Sequence, residues 1–186
     1  MASELNYPHI LEKEIKNAGL NIEETKIIAK TGWRTDDLLN AIEQEKIRGT
    51  YELVTLLIGV NNQYQHKSID QYKKEFRLLL KKAIELAGGK KENVYVISIP
   101  DYGFTPFGKE KQKEISADIE AYNTINKSIS AELGIKRFDI TPISREAIKR
   151  PELVAGDGLH PSGQMYKEWV DLFGKKIISA LKKANK

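Results

Sequence analysis

The chain has 186 residues, with 40% hydrophobic content, no cysteine, three histidines, and 30 basic against 26 acidic side chains for a net charge of +4. That length and apolar fraction fit one globular domain, residues 1–186, and the lack of cysteine excludes disulfides, thiolate metal sites and cysteine nucleophiles. The excess lysine sits in pairs such as Lys81-Lys82, Lys90-Lys91, Lys175-Lys176 and Lys182-Lys183. Such pairs at helix ends are solvated faces and dipole partners, so no nucleic-acid partner is expected. Two of the three histidines are isolated, so neither a metal nor any other cofactor is expected. No run approaches the roughly 18 apolar residues of a membrane span, and residues 1–15 lack a signal core, which leaves a cytoplasmic location as the default.

Pro8 to Ala18 reads as the first helix, with Ile10, Leu11, Ile15 and Ala18 on one face and Gly19 after its end. A short apolar run, Ile27-Ile28-Ala29, then reads as a strand leading into Lys30-Thr31-Gly32-Trp33-Arg34-Thr35. Gly32 lets a backbone N–H approach a ligand closely, and Thr35 is placed to cap a helix from Asp36 to about Ile47. By itself this is ordinary α/β grammar. Leu53 to Ile58 is apolar and β-branched, as in a strand buried on both faces, and breaks into Gly59-Val60-Asn61-Asn62-Gln63.

Ser68 to Ala87 is the best-marked helix, opening on a Ser68-x-x-Gln71 capping box, burying Tyr72, Phe76, Leu79, Leu80, Ala83 and Ile84, and closing at Gly88-Gly89. Val94 to Ile99 is a strand ended by Pro100. The next segment, Asp101 to Gly108, is aromatic and glycine-hinged, and either lines a substrate pocket, with Phe104 as a candidate contact, or packs as a surface loop. A helix from about Lys111 to Leu133, a strand from Arg137 to Ile140 and a final helix from about Ser162 to Leu181 complete the chain. Strands alternating with helices imply a parallel sheet with helices on both faces, a three-layer α/β/α, flavodoxin-like arrangement. In such sheets ligands bind outside the carboxyl ends of the strands, where the polar blocks fall.

Near the C-terminus, Asp157-Gly158-Leu159-His160-Pro161 puts a carboxylate three residues before an imidazole on a stiffened loop. A carboxylate accepting from Nδ1–H fixes the tautomer, so that Nε2 can take a proton from a nucleophile and return it to a leaving group. The same residues also serve as plain turn chemistry. An Asn61 side chain at a strand exit can donate to a developing oxyanion, or simply cap the turn together with Asn62.

Together the three blocks resemble the SGNH, or GDSL, family of serine esterases and acylhydrolases, with Gly32, Gly59 and Asn61, and Asp157 with His160 at matching positions from about Asn6 to Leu181. The resemblance implies the SGNH hydrolase fold and metal-free hydrolysis of a small-molecule ester. His160 is then the base, Asp157 its orienting partner, Gly32 and Asn61 the oxyanion hole, and Trp33, Asn62 and Phe104 contacts of the substrate pocket. Asn62 stands where the family usually has Asp. The larger departure is the family's first block, a strand ending in Gly-Asp-Ser that carries the nucleophile: no Gly-Asp-Ser occurs here, and only Met1 to Asn6 precede Tyr7-Pro8. The chain is expected to be a truncated esterase or a relative that has lost its nucleophile. In the latter case it is inactive or binds ligand without catalysis. A flavodoxin-type flavin binder is disfavoured, since no Gly-rich phosphate loop precedes a helix. Without its first strand, the sheet is expected to close by direct pairing of residues 25–30 with 53–59, or by accepting a segment of another chain. Acyl and alcohol specificity and oligomeric state are not encoded legibly.

Overall fold

The computed structural model describes residues 6–23, 25–47 and 49–184. They form two compact units, residues 6–27, 101–115 and 140–184 in one and 28–100 and 116–139 in the other.

The second unit holds the sheet. Strands β1 (Val54–Leu56), β2 (Val94–Ile97) and β3 (Lys136–Phe138) run parallel in the order β1-β2-β3, with Val54 opposite Val94 and Tyr95 opposite Lys136. All four residues of β2 are buried, as expected for a central strand covered on both faces. Helix α4 (Ile69–Leu86) packs against β1 and against α2 (Thr35–Gln44), and buries Tyr72, Phe76, Leu79, Leu80 and Ala83 at helical spacing. Each such large side chain contributes about 1.5–3 kcal/mol of burial. Tyr72 stacks obliquely on Tyr122 of α5 (Gln112–Leu133), ring centroids 4.6 Å apart. A short helix α3 (Val60–Tyr64) follows Gly59, whose φ of +125° and closeness to Tyr72 explain the glycine: a Cβ would lie 2.7 Å from the Tyr72 ring.

The other unit pairs α1 (Tyr7–Asn17) with α7 (Gly163–Ala184). Asn6 caps α1 by accepting from the His9 N–H at 3.1 Å, and Leu11 and Ile15, one turn apart, are buried. On α7, Met165, Trp169, Val170, Phe173 and Ile177 are buried, and Gly174 lets Leu11 come close. Tyr7 packs its ring against Tyr166 and Phe173. Helix α6 (Thr141–Ser144) and short 3-10 turns at Tyr102–Phe104, Lys109–Lys111, Arg145–Ile148 and Pro151–Leu153 also belong to this unit.

Several sequence expectations are corrected. Residues 25–30 form no strand and do not pair with β1 among the described residues; three apolar side chains favour extension, but only a ladder partner makes a strand. Residues 1–5, which precede the first helix, lie outside the described residues. Strand β2 stops at Ile97 rather than Ile99 because Asn123 of α5 engages both backbone groups of Ile99, accepting from its N–H at 2.9 Å and donating to its C=O at 3.0 Å. Strand β3 stops at Phe138 because the Ile140 carbonyl accepts from Ile143 and Ser144 and starts α6. Ser68 is the N-cap residue of α4 but makes no side-chain cap, and Gln71 donates to Glu75 instead of closing a capping box. Thr35 is the first residue of α2 rather than its cap. The helix start is held by Asp37, whose carboxylate accepts from the Arg34 N–H at 3.0 Å.

Candidate active site

The Asp157–His160 turn sits on a short antiparallel bridge between Val154 and Pro161, closed by the Ala155 N–H donating to the His160 carbonyl at 2.8 Å. Gly158 takes a φ of +74°, which lets the chain reverse so that the backbone of 159 and 160 faces the Asp157 carboxylate. Asp157 Oδ1 accepts from the N–H of His160 at 2.9 Å and of Leu159 at 3.0 Å, while Oδ2 lies 2.7 Å from His160 Nδ1. The two backbone donors, with the imidazole after them, hold the Asp157 carboxyl down to about 2. It therefore carries no proton near neutrality, and the hydrogen in its bond to the imidazole belongs to Nδ1. In the neutral imidazole Nε2 then keeps its lone pair, on a ring that is 41% exposed. That is the geometry of a general base.

No serine hydroxyl hydrogen-bonds His160 among the described residues. Ser162, two positions on, donates to the Glu152 carbonyl and accepts from the Met165 N–H, and so starts α7. Ser144 donates to the Thr141 carbonyl and accepts from the Asp101 N–H. Tyr166 is pushed up to about 12 by burial, with smaller contributions from Tyr7 and the charge on Asp157. No three His, Asp or Glu side chains gather to hold a metal among the described residues.

In the same unit the 101–108 loop is firmly built. Asp101 is fully buried; its carboxylate accepts from Arg145 Nε at 2.9 Å and from the Gly103 N–H at 3.0 Å. Thr105 donates its hydroxyl hydrogen to the Tyr102 carbonyl at 2.7 Å. The Phe107 N–H donates to the Gly158 carbonyl at 3.1 Å, which ties this loop to the Asp157–His160 turn. Phe104 is partly buried, whereas Phe107, which the sequence did not single out, is 53% exposed.

The sheet unit brings together the other expected residues. Gly32 has a φ of +87°, and its N–H makes no hydrogen bond among the described residues. Its carbonyl accepts from Gln65 Nε2 at 3.1 Å, and the Trp33 carbonyl accepts from Asn61 Nδ2 at 3.0 Å. Asn61 is thus anchored to the glycine loop through one amide hydrogen, with its second left for another acceptor. Arg34 donates to Gln65 at 2.7 Å and, through Nε and a terminal nitrogen, to Asp36, which lowers the Asp36 carboxyl. Trp33 is partly exposed.

Asn62 is a correction. It is 0% exposed, with Oδ1 accepting from the Thr35 N–H at 3.0 Å and Nδ2 donating to the Thr35 hydroxyl at 2.7 Å, so it lines no pocket. The Thr35 hydroxyl passes its own hydrogen to Glu75 of α4. This explains Asn at 62: beside a hydroxyl already donating to a carboxylate, the neighbour must itself be a donor, and Asp is not. The partners lie 27 and 40 residues apart in sequence, and no local pattern announces them.

The model of the GDSL-like lipase/acylhydrolase family matches residues 2–168. Among solved structures, the chain is similar to a lipolytic protein of the G-D-S-L family from Veillonella parvula DSM 2008 (17% identity, 94% of this chain and 88% of that one covered, TM-score 0.68). It is also similar to the lipase/acylhydrolase from Enterococcus faecalis (20%, 91% and 85%, TM-score 0.65) and to Axe2, an acetylxylan esterase from Geobacillus stearothermophilus (20%, 92% and 80%, TM-score 0.70). At these identities the likeness fixes the fold, the α/β/α fold of SGNH hydrolases. No curated protein matches the chain. No helix among the described residues is long and apolar enough to cross a membrane.

Proposed function

The chain belongs to the GDSL-like lipase/acylhydrolase family and is by that membership a carboxylic ester hydrolase; from this premise we propose that His160 is its general base and Asp157 the group that orients it. A serine oxygen attacks the ester carbonyl as its proton passes to His160 Nε2, and the same proton then goes to the leaving alkoxide; water repeats the sequence to release the acid. The Gly32 N–H and the second amide hydrogen of Asn61 hold the oxyanion, and Trp33 and Phe104 contact the substrate. The observation that carries this reading is the 2.7 Å bond from Nδ1 to a carboxylate held ionised.

The 186 residues contain no Gly-Asp-Ser, so this reading assigns the nucleophilic serine to none of the described residues. That absence favours a second reading, a relative that binds ligand without turnover. Hydrolysis of p-nitrophenyl acetate, together with fluorophosphonate labelling and mass spectrometry of the adduct, separates them. The chain is expected to hydrolyse weakly, up to roughly 10³–10⁴ over water, and to give no adduct on a described serine. Adding an N-terminal strand that ends in Gly-Asp-Ser is expected to create turnover that His160→Ala abolishes and Asn61→Ala reduces about 10²-fold or more. Robust turnover by the unaltered chain that survives His160→Ala would remove the serine-esterase mechanism. An adduct on Ser3 would place the nucleophile within the chain.

A further inference from the structure

We propose that Phe107 is a specificity-determining contact of the ester site, a rigid aromatic platform for a flat, CH-rich group of the substrate such as an aryl or pyranose ring. The proposal rests on the reading of His160 as the base. Phe107 is a large apolar side chain left 53% exposed in a unit that buries most of its others, and its backbone is bonded at 3.1 Å to Gly158, within the turn that carries His160. The loop holds that position strongly. Asp101, itself buried, anchors one end through its bond to the partly exposed Arg145, and the Asp101 N–H donates to Ser144 at 2.8 Å. At the other end, a Cβ on Gly108 would stand 2.1 Å from the Tyr102 carbonyl oxygen, so the chain closes there by a contact only glycine permits. A Cβ on Gly158 would meet Pro106 at 3.6 Å, so the two segments lie close together.

A flexible loop with an exposed ring would fold the ring away from water. Here the backbone is fixed on both sides of Phe107, and the ring is 53% exposed with its centroid 6.4 Å from that of Tyr102 and tilted by 48°. An aromatic ring on a loop bonded to the turn of the base contributes nothing to proton transfer. It gains free energy when a ligand ring covers it, and so discriminates among esters by the group they carry.

The test uses the full chain labelled with 4-fluorophenylalanine, with the Phe107 signal assigned through Phe107→Leu, and reads binding rather than turnover. Phenyl acetate and isopropyl acetate are titrated while the Phe107 fluorine signal and the His160 ring-proton signal are followed. Phenyl acetate is expected to move both signals with one dissociation constant. Phe107→Ala should weaken phenyl acetate about fivefold and leave isopropyl acetate within about twofold, while Phe107→Trp should retain the preference. Equal weakening of both esters, or no change in either, overturns the role of Phe107 and leaves the base assignment standing. Movement of Phe107 with no response of His160 overturns the base assignment and the proposal together.

Discussion

Replacing Asp157 by Asn tests the base assignment at its narrowest point. In the structure Asp157 accepts three hydrogen bonds, two from backbone N–H groups at 2.9 and 3.0 Å and one from His160 Nδ1 at 2.7 Å. Asn can keep the two backbone bonds through its own Oδ1. The atom then facing the imidazole is Nδ2, a donor, and Nδ1 must become an acceptor, which moves the ring hydrogen to Nε2. A hydrogen bond to a charged group contributes about 1.5–3 kcal/mol and a neutral one about 1. The tautomer balance therefore swings by roughly 3 kcal/mol, more than a hundredfold. Because the turn is half-exposed, the fold is expected to lose no more than roughly 2–4 °C in Tm. The assay is direct: ¹⁵N shifts of the His160 ring near pH 8 report which nitrogen carries the hydrogen. Nδ1 is expected in the native chain and Nε2 in Asp157→Asn. In a version given a Gly-Asp-Ser strand, kcat is expected to fall about 10⁴-fold. The reasoning fails if native His160 carries its hydrogen on Nε2, or if the substitution leaves the tautomer unchanged.

Two further outcomes are expected. Asn62→Asp should destabilise the chain by about 2–4 kcal/mol in urea unfolding, because a buried donor is lost and a second carboxylate meets Glu75 across the Thr35 hydroxyl; Glu75→Gln in the same chain should recover part of it, and an unchanged midpoint for Asn62→Asp would refute the network. For Asp157, the folded carboxyl at about 2 lies below its ordinary value near 3.9, so its contribution to stability is complete above about pH 4 and is lost as pH falls through about 2. A ¹³C carboxyl titration should show this low midpoint, and a midpoint near 4 would remove the claim that the backbone donors hold the charge.

What the sequence alone determined is local. Helices were legible because side chains one turn apart share a face, as Leu11 and Ile15 do on α1 and Tyr72, Phe76, Leu79 and Leu80 do on α4. The Asp157–His160 bond was legible for the same reason: a spacing of three residues and a glycine allow few geometries. Strand ends were not, because a strand is defined by what lies beside it. Asn123, on a helix formed later in the chain, decides where β2 stops, and the Ile27-Ile28-Ala29 run has every local mark of a strand without a ladder. Nor does composition separate Asn61, which keeps an amide hydrogen to offer, from its neighbour Asn62, sealed against Thr35. Phe104 and Phe107 are alike in sequence, yet the fold leaves the first partly buried and the second 53% exposed. These distinctions depend on partners tens of residues away, and a one-dimensional pattern carries no information about which donor will meet which acceptor once the chain has packed.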